Sequence, residues 1–190
     1  MTITHAPNGT PIIGIAGWKN SGKTTLAVRL VEEFTRRGLR VATIKHAHHN
    51  FQIDDAETDS ARHRRAGATQ VAIVSSKRWA LVTELGAADE PDFAEVIAML
   101  APADLIIVEG YKTAPVLKIE ARRGASSHEK PLATENPHVI AIAADAPSAH
   151  TDPLPVFQLD DVATLADFIA KQIGLKPPHV RDVPSKDRAD

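Results

Sequence analysis

Residues 14–30 read GIAGWKNSGKTTLAVRL, and this stretch decides the fold. Within it, Gly17-Trp18-Lys19-Asn20-Ser21-Gly22-Lys23-Thr24 satisfies the pattern G-x-x-x-x-G-K-[ST] at every fixed position. The run PIIGIA (11–16) just before the loop is continuous and apolar, as a strand covered on both faces requires. After the loop, Leu26, Ala27, Leu30, Val31 and Phe34 share one helical stripe. Arg36 and Arg37 complement the C-terminal dipole of that helix, and Gly38 provides a left-handed stop. A glycine loop between a buried strand and an amphipathic helix is the setting in which this pattern cradles phosphate; a plain glycine turn is the bland alternative.

Each position has a physical task. Gly17 and Gly22 let the backbone curl so that successive N–H groups face inward at a helix N-terminus, where phosphate replaces water. Lys23 neutralises the β- and γ-phosphates, and Thr24 offers its hydroxyl to Mg²⁺. A Mg²⁺ ion beside a triphosphate also needs a carboxylate from the end of a neighbouring strand. DLIIVEG (104–110) supplies Glu109 at such an end, followed by a glycine that permits close backbone approach; a solvated strand-end glutamate is the alternative. Asp59, in ETDSARHRRAGA (57–68), is a second candidate if that segment faces the γ-phosphate as a switch-like element, and otherwise caps a helix. The expected metal-binding set is therefore Thr24, Asp59 and Glu109, with the two carboxylates as candidate catalytic residues.

The rest of the chain extends an α/β pattern. RVATIK (40–45) reads as a second buried strand, parallel to the first through a right-handed crossover. DSARHRRAGA reads as a short helix stopped at Gly67, QVAIVSS and RWALVTEL as two strands joined by a tight turn, and DFAEVIAML as a helix with Phe93, Val96, Ile97 and Leu100 inward. VLKIEAR (116–122) alternates apolar with charged residues, which predicts a sheet edge or a half-exposed hairpin. HVIAIAAD is a buried strand, and Asp160 or Asp161 caps a last helix carrying Val162, Leu165, Phe168, Ile169 and Ile173, stopped at Gly174. The expectation is one P-loop domain over residues 1–174, a three-layer fold with a mostly parallel central sheet and a hairpin or edge extension. A mobile polar tail, 175–190, follows.

Composition narrows the function classes. With 190 residues, 43% of them hydrophobic, a single core is expected. A net charge of −2 and 4% aromatics argue against nucleic-acid binding through bulk charge or base stacking. No cysteine is present, which removes disulfides, thiolate metal sites and cysteine nucleophiles. No apolar run reaches the roughly 20 residues of a bilayer span, and the start has no signal-peptide pattern, so a soluble cytoplasmic protein is expected.

Two clusters stay open. KHAHHNFQIDD (45–55) places His46, His48 and His49 just after the second strand, with Asp54 and Asp55 nearby: a transition-metal site, a pterin or phosphate contact, or a solvated loop. Arg62, Arg64 and Arg65 put three cations on one short helix, either as a solvated face or to meet an anionic ligand or acidic partner.

GIAGWKNSGKTTL, VATIKHAHHNF, DSARHRRAGA and DLIIVEGYK, in this order across residues 12–112, resemble the signature segments of the molybdopterin-guanine dinucleotide biosynthesis protein B family, MobB. HVIAIAAD continues the match. The resemblance implies a P-loop GTP-binding protein, usually homodimeric, that hydrolyses GTP slowly at most. It further implies work alongside a MobA-type nucleotidyltransferase that attaches GMP to molybdopterin, with molybdopterin itself as a conceivable ligand. By motif it assigns phosphate binding to Gly17, Trp18, Lys19, Asn20, Ser21, Gly22, Lys23, Thr24 and Thr25, and the acidic strand-end position to Glu109. A neighbouring P-loop class, which includes dethiobiotin synthetase, carries a lysine directly after the first loop glycine; here Trp18 stands there and Lys19 follows.

The base-reading residue is a further expectation. Guanine specificity normally needs a carboxylate facing N1 and N2, and no Asn-Lys-x-Asp motif is present. Asp145, at the end of HVIAIAADAP, is the candidate, with a turn cap before Pro147 as the alternative. The rival function is a small-molecule kinase with Arg122 and Arg123 as a cationic lid.

Overall fold

The computed structural model describes residues 2–47, 58–124, 130–145 and 153–176. The elements run β1 (Ile12–Ala16), α1 (Lys23–Arg36), β2 (Val41–Lys45), α2 (Asp59–Arg65), β3 (Gln70–Val74), β4 (Trp79–Thr83), α3 (Phe93–Ala98), β5 (Leu105–Glu109), β6 (Lys118–Arg122), β7 (Val139–Ala144), β8 (Val156–Gln158) and α4 (Val162–Gln172). Contacts divide the chain into two units, Met1–His46 with Ile97–Asp190, and Ala47–Val96.

The first unit holds a six-stranded sheet of order β2-β5-β1-β6-β7-β8, parallel at every pairing. β1 is central and buried throughout, as its unbroken apolar run demands. One face is covered by α1 and α4, whose Leu26, Leu30, Phe34, Leu165 and Ile169 pack with Ile13, Ile15, Ile107 and Ile119. Asp161 caps α4 by accepting the Thr164 N–H at 3.2 Å, whereas Asp160 pairs with Arg29. Arg36 and Arg37, expected to serve the dipole, also grip Glu33 and hold its carboxyl down to about 2.

Two strands differ from expectation. VLKIEAR is no edge: β6 lies between β1 and β7, with Lys118 and Glu120 as buried as the isoleucine between them. Their polar atoms are satisfied from the face opposite α1 and α4. The Lys118 ammonium donates to the Ala114 carbonyl and, at 3.0 Å, to the Val116 carbonyl. Glu120 accepts the Leu132 and Ala133 N–H groups, each at 2.9 Å, and pairs with Arg122 at 2.8 Å. Gly14 makes room, since a Cβ there would lie 2.9 Å from Lys118 Cγ. RVATIK, expected to be buried, forms the sheet edge, with Ile44 its one buried residue. β8, at the other edge, was not anticipated.

The second unit contains the expected hairpin, β3 with β4, as a separate two-stranded antiparallel sheet. Thr58, not Asp59, caps α2 by accepting the Ala61 N–H at 3.3 Å. Among the described residues no helix is long and apolar enough to cross a membrane. His48, His49, Asp54, Asp55 and all but the first two residues of the 175–190 tail lie outside the described residues.

Candidate phosphate-binding site

Parallel register brings the carboxyl ends of β1, β5, β6 and β7 to one edge of the sheet, where open α/β sheets bind ligands. The glycine loop closes over that edge. Gly17 has φ +153, and a Cβ there would lie 2.3 Å from Ser21 Oγ and 2.6 Å from the Ala121 carbonyl, so only glycine fits. Gly22 has φ +90 and passes so close to Arg123 that a Cβ would meet its Nε at 2.8 Å. Asn20, at φ 63, shares the left-handed turn.

α1 starts directly after Gly22 with no side-chain cap and no acidic residue in its first turn. Its first N–H groups therefore keep both hydrogen-bonding capacity and the positive end of the dipole for an anion. Ser21 is 1% exposed, and its buried Oγ has no hydrogen-bond partner. A buried orphan hydroxyl at the floor of a glycine loop fits a cradle for phosphate oxygens.

Four side chains converge on this helix end. Thr24 Oγ1 donates to Glu109 Oε1 at 2.5 Å. Lys45, from the end of β2, reaches the same Oε1 at 3.5 Å and the Thr24 hydroxyl at 3.5 Å. Lys23 Nζ folds back onto the Trp18 carbonyl at 2.5 Å. Its pKa is lowered, first by burial and then by Lys112 and Lys45, against the pull of Glu109. A hydroxyl beside a carboxylate is an all-oxygen donor pair of the hardness Mg²⁺ prefers, so Thr24 and Glu109 fit such an ion. Gly110 does what was expected of it: at φ +91 it lies against His46, to whose Cβ an added Cβ would come within 3.1 Å. The His46 ring stacks on Tyr111 at 4.4 Å.

Asp145 stands at the end of β7 and accepts the Gly124 N–H at 3.0 Å. Asp59 belongs to the second unit, where its exposed carboxylate pairs with Arg62 at 3.5 Å. Arg64 pairs with Glu84 at 3.1 Å within that unit. Among the described residues no three histidine, aspartate or glutamate side chains gather as a metal site. Lys45 and Lys112 are the site residues that sequence reasoning missed.

Residues 12–145 match the model of the family described as MobB, molybdopterin guanine dinucleotide synthesis protein B. The chain belongs to the MobB family. The molybdopterin-guanine dinucleotide biosynthesis adapter protein of Escherichia coli is 36% identical over 163 residues, 85% of this chain and 92% of its own length. The protein of the same description from Haemophilus influenzae is 36% identical over 85% of this chain and 89% of its own. The crystal structure of Bacillus subtilis MobB superposes with a TM-score of 0.68 at 27% identity, covering 88% of this chain and 99% of that one. The parallel sheet and glycine loop are consistent with a P-loop nucleoside triphosphatase fold, and the matched residues include the glycine loop, Lys45 and Glu109.

Proposed function

We propose that this chain is a GTP-binding adapter in molybdopterin guanine dinucleotide assembly, acting on a partner nucleotidyltransferase of the MobA type. The observation that carries the reading is the convergence of Lys23, Lys45, Thr24 and Glu109 on the uncapped start of α1. The name shared by its relatives supports the pathway.

In this reading the N–H groups of Gly17–Thr25 surround the β- and γ-phosphates, and Lys23 leaves the Trp18 carbonyl to pair with them. Thr24 and Glu109 would hold Mg²⁺, which would screen charge between phosphate oxygens. Lys45 positions the Glu109 carboxylate through their ion pair. Asp145 is the proposed guanine reader. Its Oδ1 holds the 124 backbone, and the remaining lone pairs accept from guanine N1 and N2. A homodimer is proposed as the working assembly, with Mg²⁺ as the companion ion.

Reconstitution tests the role. Purified partner enzyme, molybdopterin and MgGTP should form the dinucleotide faster with this chain present, and Lys23→Ala should abolish the stimulation. Equal product formation with and without the chain would refute the adapter reading, and phosphorylation of a small acceptor by the chain alone would replace it with a kinase.

A further inference from the structure

Lys112 follows the acidic strand end by three residues and is turned back over the glycine loop. Gly110 and Tyr111 both take left-handed backbone conformations, at φ 91 and φ 45, which bends the chain sharply after Glu109. Tyr111 is steadied in that conformation by its stack on His46. The Asn136 amide donates to the Lys112 carbonyl at 2.7 Å, fixing the backbone from which the side chain extends. The ammonium ends 3.7 Å from the centre of the Trp18 ring, inside the phosphate loop itself. Trp18 is held in turn, its indole N–H donating to the Lys130 carbonyl at 2.8 Å.

The placement is unusual for a lysine. Among the described residues Lys112 has no carboxylate partner and rests on a π face, a weak hold beside a charge-assisted bond to phosphate. Its charge lies close enough to Lys23 to depress that residue's pKa. Glu109, the one carboxylate seen at the loop among the described residues, is already taken by Thr24 and Lys45. Cations crowded together with so little counter-charge are relieved by a polyanion, and each additional phosphate charge relieves them further.

Resting on the reading of residues 17–25 as a phosphate cradle, we propose that Lys112 is a further phosphate-binding residue. In the free protein it is parked over Trp18; with a nucleotide bound it transfers to the terminal phosphate and makes the site prefer tri- over diphosphate. Its flexible stem suits such a movement, and Trp18 becomes the place it leaves.

Titration of Lys112→Met with MgGTP and with GDP is the test. GTP affinity should fall about tenfold or more, GDP affinity by less than about threefold, and Lys112→Arg should keep most of the GTP affinity. In a Trp79→Phe background, where Trp18 is the remaining tryptophan, MgGTP should change the indole emission and GDP should change it much less. This second readout needs no change at Lys112. Wild-type GTP affinity in Lys112→Met, alongside lost binding in Lys23→Ala, would overturn the proposal and leave the cradle intact. An equal loss for GTP and GDP, or equal emission changes with both, would make Lys112 a loop support and overturn it too. Undiminished GTP binding in Lys23→Ala would bring down the cradle and this proposal together.

Discussion

Lys118 gives the chain a pH-dependent stability that can be worked from its surroundings. The residue is fully buried in β6, has two carbonyl acceptors, and burial brings its pKa down to about 8. In the unfolded chain the same group titrates near 10.5. The unfolded state therefore binds more protons between these values, and stability rises as pH rises through that window. The penalty is fully present below about 8 and gone above about 10.5. The two-state proton linkage over this interval puts the gain from pH 7 to pH 10 at about 2–3 kcal/mol. Other groups titrate there as well, so the decisive quantity is the difference from Lys118→Met. Methionine fills similar space, removes the titration and takes the ammonium donor from the Val116 carbonyl, at a cost of about 1–3 kcal/mol, while the Ala114 carbonyl keeps the Val116 N–H. Urea unfolding of both proteins at intervals from pH 7 to 10 should show the variant losing ground by about 2–3 kcal/mol across the series. A stability difference that stays flat over this range would refute the argument.

Further outcomes follow from other contacts. Glu109→Gln should weaken GTP binding about tenfold or more with Mg²⁺ and little in EDTA, by calorimetry; equal losses would remove Glu109 from the ion. Gly22→Ala forces a Cβ into the left-handed region and against Arg123, and should cost about 1–2 kcal/mol in thermal unfolding as well as GTP affinity. Asp145→Asn should lower GTP affinity by about 2 kcal/mol and leave ATP binding nearly unchanged; an unaltered preference for GTP would reduce Asp145 to the support of Gly124. Glu33 has a depressed pKa, so its contribution is present above about 4.5 and lost as pH falls through about 2; Glu33→Gln should be less stable than wild type at pH 6 and approach it in acid.

The glycine loop and α1 were legible because their signals are local: fixed spacings, a helical stripe and a glycine stop all lie within 25 residues. Thr24 and Glu109 lie together because the loop that follows β1 and the end of β5 share one edge of the parallel sheet, a neighbourhood that strand ends announce in the sequence. β6 was misread for the opposite reason. The alternation of Lys118, Ile119 and Glu120 mimics a half-solvated strand, and the carbonyls and N–H groups that satisfy the two charges come from Ala114, Leu132 and Ala133, whose positions no periodicity reveals. RVATIK was apolar enough for a central strand, yet strand order, a property of the whole sheet, left it at the edge. Lys45 and Lys112 went unnoticed because a strand-end lysine is usually solvated. The available signal was their position: Lys45 ends a strand parallel to β5, and Lys112 follows Glu109 across the kink at Gly110 and Tyr111.

The central claim is that residues 17–25 and Glu109 form a nucleoside triphosphate site. Isothermal titration of the purified chain with MgGTP, beside a Lys23→Ala variant of equal thermal stability, tests it most directly. The account predicts saturable binding by the wild type, weaker binding of MgATP, and no detectable heat from the variant. Equal GTP affinity in the two proteins would contradict it.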